Sequence, residues 1–201
     1  MSKQRFSFKA EYDHSSIVVY QAFNDDIAKS TVHNQKLGYG GFKFNRRTWI
    51  KPSYYWMMHR SYWATKENQN RILKITLPRE FFDELIELGI PSQPLKKIYE
   101  PYGLWDSSYD NENLRSNLAR KSDIIYQLDP ERNDKGFRTG TRAIQIGLKG
   151  ETLMRYSLSQ IIRIEDITPL VKEEFACLTR DYSSYNGGSG ERAYPEILKN
   201  V

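Results

Sequence analysis

The run Trp49-Ile50-Lys51-Pro52-Ser53-Tyr54-Tyr55-Trp56-Met57-Met58-His59-Arg60 passes from strand to helix with a single break between them. Trp49 and Ile50 suit a short strand. Pro52 restricts Lys51 to extended backbone. Ser53 then supplies the side-chain acceptor that opens a helix of about ten residues.

Upstream, Ile17-Val18-Val19-Tyr20 reads as a buried strand, preceded by an alternating segment from Phe6 to Ala10. Asn24 or Asp25 caps a helix that carries Ile27, Ala28, Thr31 and Val32 on one stripe, and Gly38-Tyr39-Gly40-Gly41 ends that unit. Downstream, Arg71 to Leu77 is a strand, and Pro78 opens an amphipathic helix with Phe81, Phe82, Leu85 and Ile86 inward. Residues 90–122 are rich in proline and polar residues and predict a loop-dominated insert, a candidate lid. Strands follow at Ile124–Leu128, Arg142–Leu148 and Ile161–Ile167, with a turn over Asp129–Gly136 and a short helix over Lys149–Tyr156. Thr168 caps a last helix to about Thr179. The strands and helices cluster rather than alternate, which predicts a single α+β domain over residues 1–182. Residues 183–201, with Gly187-Gly188-Ser189-Gly190, predict a loose tail.

Charge is unevenly placed. Residues 1–66 hold eleven Lys/Arg against four Asp/Glu, a balance of +7, and the remainder carries −2. A basic, aromatic first third predicts a polyanionic partner: a nucleotide, or RNA or DNA. No apolar run is long enough to span a bilayer, and the N-terminus lacks a secretory core, so no membrane partner is expected. The lone Cys177, read as a small buried hydrophobe, fits a reducing compartment: cytoplasm, or the nucleus in a eukaryote. His14, His33 and His59 have no metal-ligand spacing, so no metal is expected.

The chemistry-bearing candidates lie near the opening stretch. Arg47, Lys51 and Arg60 crowd a capped helix start, where backbone N–H groups and cations together hold phosphates. Tyr55 or Trp56 offers a ring to stack a base or nicotinamide, although helical spacing also places Trp56, Met57 and Met58 in a core. Glu131 is the leading acid–base candidate, with Glu151 behind it.

The run Trp49 to Ser61 resembles the family called domain of unknown function 4291. Ala10-Glu11-Tyr12-Asp13, Val19-Tyr20-Gln21-Ala22, Asp129-Pro130-Glu131-Arg132 and Arg142-Ala143-Ile144-Gln145-Ile146-Gly147-Leu148 resemble it too. The resemblance spans nearly the whole chain; it departs at Lys9, where the family usually has Arg, and at Leu128, where it usually has Trp. The order of elements resembles, more distantly, the ADP-ribosyltransferase fold. That resemblance implies a mixed or antiparallel split sheet with flanking helices and a cleft for NAD, floored by Tyr20, Gln21, Ser53 and Gln145. It places Gln145 where that fold carries its catalytic Glu, and Gln21 where the first strand carries His or Arg. A neutral Gln binds ribose hydroxyls but does not stabilise an oxocarbenium-like cation by charge, which leaves that role to Glu131 or Glu151. Two function classes follow. One is an ADP-ribosyltransferase-like enzyme binding NAD or a related nucleotide and modifying nucleic acid. The other is a non-catalytic RNA- or DNA-binding module using the same basic, aromatic face.

Overall fold

The computed structural model describes residues 6–92, 95–180 and 191–193. Strand β1 (Lys9–Ala10) leads into β2 (Ser16–Phe23), and α1 (Asp25–Asn34) follows, its first turn closed by the Asn24 side chain accepting from the Ile27 N–H. Next come β3 (Thr48–Ile50), α2 (Tyr54–Ser61), β4 (Arg71–Pro78) and α3 (Arg79–Leu88). The middle of the chain holds β5 (Ile90–Pro91), the single turn α4 (Lys96–Tyr99) and α5 (Glu112–Lys121). The long hairpin β6 (Ile124–Arg132) and β7 (Arg138–Leu148) precedes α6 (Gly150–Arg155), β8 (Arg163–Asp166), α7 (Thr168–Arg180) and β9 (Arg192–Ala193).

The result is an α+β architecture with two main sheets. β2, β4 and β8 form an antiparallel sheet in the order β2-β4-β8; the second runs β3-β7-β6-β5, antiparallel except for the β5–β6 pair. Their edges meet at one point, where the Tyr20 N–H donates to the Lys51 carbonyl (2.7 Å) and the Lys51 N–H to the Tyr20 carbonyl (3.3 Å). Beyond it the strands part.

β2 is buried on both faces, as its unbroken apolar run requires. Ile17, Val19 and Phe23 face the larger core with Phe81, Phe82 and Leu85 of α3, whereas Val18 and Tyr20 face a second core with Tyr54, Met57 and Met58 of α2 and Val171 of α7. The helix opened by Ser53 therefore packs on one side of the first sheet, and its N-terminus sits beside the junction of the two.

Three local readings change. Residues 90–122 are not dominated by loop: α5 is a full ten-residue helix capped by Asn111, which accepts from the Leu114 N–H. Its apolar side is only Leu114 and Leu118, both exposed, too short a stripe to show a helix in sequence. The turn expected from Asp129 begins later, because β6 continues through Pro130, which pairs with Arg142, and its register shifts between Pro130 and Arg132. A bulge accommodates the missing proline donor. Cys177 is exposed on α7 rather than buried. The Gly187–Gly190 run lies outside the described residues; within the stretch read as a tail, Arg192 and Ala193 pair antiparallel with Ala10 and Lys9.

Candidate functional site

Where β2 and β3 part, a cleft of about 920 Å³ opens between the two sheets. Gln21, Ala22 and Phe23 line one wall and Thr48 and Trp49 the other; Lys51 and Trp56 sit beside the junction, and Gln127, Asp129 and Gln145 come from the β6–β7 hairpin. Lys43, Arg46 and Arg60 also line it and are exposed.

Gln21 holds the parting strands. Its amide donates to Thr48 Oγ1 (2.9 Å) and to the Trp49 carbonyl (3.0 Å), and its oxygen accepts from the Tyr156 hydroxyl (2.6 Å). With the residue only 2% exposed and bonded on both ends, it sets the cleft's width.

The hairpin supplies the carboxylate. Gln127 and Gln145 are direct cross-strand partners, so their side chains rise from the same face, two residues from Asp129 along β6. Gln127 donates to Asp129 Oδ1 (2.9 Å) and Gln145 to Oδ2 (2.7 Å), one amide on each oxygen. Burial raises the Asp129 pKa above the usual carboxylate value, against the two amide hydrogen bonds and the nearby charges of Lys51 and Arg60.

Lys51 is buried, and its ammonium nitrogen lies 3.3 Å from the Trp49 carbonyl and 5.6 Å from the Trp56 ring centre. Desolvation, reinforced by Arg60 and opposed by Asp129, lowers its pKa to about 7.

Glu131 takes a different place. Alternation along β6 would put it on the face of Gln127 and Asp129, but it follows the start of the register shift and is fully buried. Ser53 donates its hydroxyl to Oε1 (2.7 Å) and the Arg132 N–H donates to the same oxygen (2.8 Å). Glu131 does not line the cleft and sits at the N-terminal end of α2, where the helix dipole favours a negative charge. Ser53 accepts from the Trp56 N–H, as an N-cap does, and is buried with Glu131. Burial raises the Glu131 pKa, against the hydrogen bonds from Arg132 and Ser53.

The other candidates divide in the same way. Arg47 lines the cleft with its stem, but its guanidinium donates to the carbonyls of Asp123 (3.1 Å), Gly147 (2.8 Å) and Ser122 (2.8 Å). It ties β3 to the start of β6 and leaves little for a phosphate. Tyr20 is buried on the opposite face of β2 from Gln21, its ring edge-on to Tyr54 at 5.4 Å. Tyr55 lies on the far side of α2, against Trp63. Trp56 is buried beneath Lys51, whereas the partly exposed Trp49 lines the cleft. Among the described residues no group of His, Cys, Asp and Glu is arranged to hold a metal ion, and no helix is long and apolar enough to cross a membrane.

The model of the family described as Domain of unknown function (DUF4291) matches residues 7–187. The chain belongs to the DUF4291 family. No curated protein matches it. In this DUF4291 chain the cleft draws Gln21, Arg47, Lys51, Trp56, Arg60 and Gln145 together and leaves Tyr20, Ser53, Tyr55 and Glu131 outside its lining. Reading along the sequence missed Asp129, Gln127 and Trp49. The signal was present for the first two, since Gln127-Leu128-Asp129 alternates on one strand face. Asp and Pro at 129 and 130 instead suggested a turn.

Proposed function

We propose that the cleft binds a nucleotide, NAD or a close relative, and serves ADP-ribosyltransferase-like chemistry on a nucleic-acid acceptor. The observation that carries this reading is the parting of β2 and β3 beyond a single bridge, which lines one cavity with guanidinium, indole and amide groups. A volume of about 920 Å³ suits a ligand of dinucleotide size. Arg46 and Arg60 take the phosphates with the planar fork that guanidinium offers. Trp49 stacks a ring, and Gln127 and Gln145 sit within reach of ribose hydroxyls as well as Asp129.

In glycosidic transfer the nicotinamide leaves with the bonding electron pair, and the sugar carbon becomes cation-like until the acceptor adds and loses its proton. A carboxylate beside that carbon stabilises it more strongly in a desolvated site than in water. Among the described residues Asp129 is the carboxylate that lines the cleft, so the role assigned from sequence to Glu131 passes to it.

The exposed Lys43, Arg46 and Arg60 favour a second reading, a polyanion-binding module without turnover. Calorimetric titration of NAD into the parent protein and into Arg60→Ala separates the two. Saturable binding weakened roughly tenfold or more by Arg60→Ala, the loss of one charge-assisted contact, supports the nucleotide cleft. Absence of NAD binding, with affinity for an oligonucleotide that falls steeply with salt, supports the module.

A further inference from the structure

Lys51 occupies an unusual position for a phosphate-binding lysine. Its side chain is buried at the junction of the two sheets, yet it lines the cleft. An ammonium group has three N–H donors. Among the described residues Lys51 Nζ finds one acceptor, the Trp49 carbonyl at 3.3 Å, and no carboxylate within ion-pair distance. Both oxygens of Asp129, the carboxylate that lines the same cleft, are engaged by Gln127 and Gln145. Arg60 adds positive charge nearby, and the Trp56 ring covers one side. A buried amine with one long hydrogen bond and a cationic neighbour loses much of its preference for the charged form. Lysines desolvated or placed beside another cation act as nucleophiles toward carbonyl carbon.

We infer that Lys51 is a nucleophilic amine that forms an imine with the aldehyde of a phosphorylated sugar held in the cleft. The phosphate lies against Arg46 and Arg60, and the aldehyde reaches the amine at the junction. The Lys51 nitrogen adds to the carbonyl carbon and its proton passes to the resulting alkoxide, giving a carbinolamine. A proton drawn from solvent lets the hydroxyl leave as water and yields the protonated imine; hydrolysis reverses each step. No oxidant or reductant is needed. The lowered Lys51 pKa, about 7, favours the free amine this step uses. The inference rests on the cleft's taking a phosphorylated ligand and is independent of ADP-ribosyl transfer.

Pyridoxal 5′-phosphate, a phosphorylated aromatic aldehyde, is a direct probe. The intact chain is incubated with it at neutral pH, reduced with borohydride and mapped by peptide mass spectrometry, with Lys43 of the same cleft as the internal reference. About half of an amine with a pKa near 7 is neutral at pH 7, against fewer than ~1 in 1,000 for an ordinary lysine near 10.4. Allowing for hindered access, the expected result is at least a tenfold excess of adduct at Lys51 over Lys43, weaker labelling by pyridoxal without its phosphate, and loss of that adduct in Lys51→Arg. Adducts spread over exposed lysines with none at Lys51 overturn the inference, as does equal labelling of Lys51 by pyridoxal and its phosphate. The mapping is made on the parent, so the inference stays testable if the Arg variant fails to fold. A protein that labels at Lys51 but does not bind NAD contradicts the transferase reading alone.

Discussion

Replacing Glu131 by alanine is expected to weaken the fold while leaving the cleft's chemistry in place. The Ser53 hydroxyl and the Arg132 N–H both donate to Glu131 Oε1, and the glutamate is fully buried. Truncation strands both donors away from water, at about 1–3 kcal/mol each, and removes about one buried methylene, worth roughly 0.8 kcal/mol. Against this, among the described residues Glu131 Oε2 is buried without a hydrogen-bond partner, so removing the carboxylate recovers about 1–2 kcal/mol of desolvation. The net loss is about 1–6 kcal/mol, centred at ~3, and that centre corresponds to roughly 6–12 °C in Tm for a domain of this size. Urea unfolding followed by tryptophan fluorescence measures it, and NAD titration at low temperature reads the cleft separately. A variant as stable as the parent within ~0.5 kcal/mol, but unable to bind ligand, would refute the reasoning and return Glu131 to the site.

Other outcomes follow from the same geometry. Gln21→Leu leaves the buried Tyr156 hydroxyl without an acceptor and unties Thr48 and Trp49 from β2; a loss of about 2–3 kcal/mol is expected in denaturant titration. Gly147→Ala puts a Cβ 2.7 Å from Arg47 Cδ and 3.1 Å from the Trp49 ring; because Arg47 is held by three carbonyls, overpacking of about 1–3 kcal/mol and a shift of Trp49 emission are expected. The pH dependence of stability carries the signature of Lys51. Its pKa falls from 10.5 to about 7 on folding, so between these values the unfolded chain binds more protons. Stability should therefore rise with pH from about 7 to about 10, and Lys51→Met should flatten that rise in urea titrations across the range.

Much of the fold was legible where side chains obey one period. The buried run of β2, the Asn24 and Ser53 caps and the apolar stripe of α3 each declare themselves locally. The exposed α5 did not, because Leu114 and Leu118 alone make too short a stripe among polar residues. The site was legible as a neighbourhood and less so as a set of roles. Lys51, Arg60 and Gln145 share the cleft, but whether Arg47 is spare depends on three carbonyls that are distant in sequence. That Asp129 rather than Glu131 lines the cleft turns on a register shift at Pro130, which depends on pairing with Arg138 and Arg142 and so lies beyond any local pattern.

Asp129, not Glu131, is proposed as the carboxylate that acts on a nucleotide in the split between the sheets. The most direct test is mass-spectrometric measurement of free nicotinamide after incubation of NAD with the parent, Asp129→Asn and Glu131→Gln, each checked for folding by circular dichroism. Release by the parent, a fall of about a hundredfold or more in Asp129→Asn and a near-parental rate in folded Glu131→Gln are expected. Release that survives in Asp129→Asn and disappears in folded Glu131→Gln, or no release by the parent with any nucleic acid present, would contradict the claim.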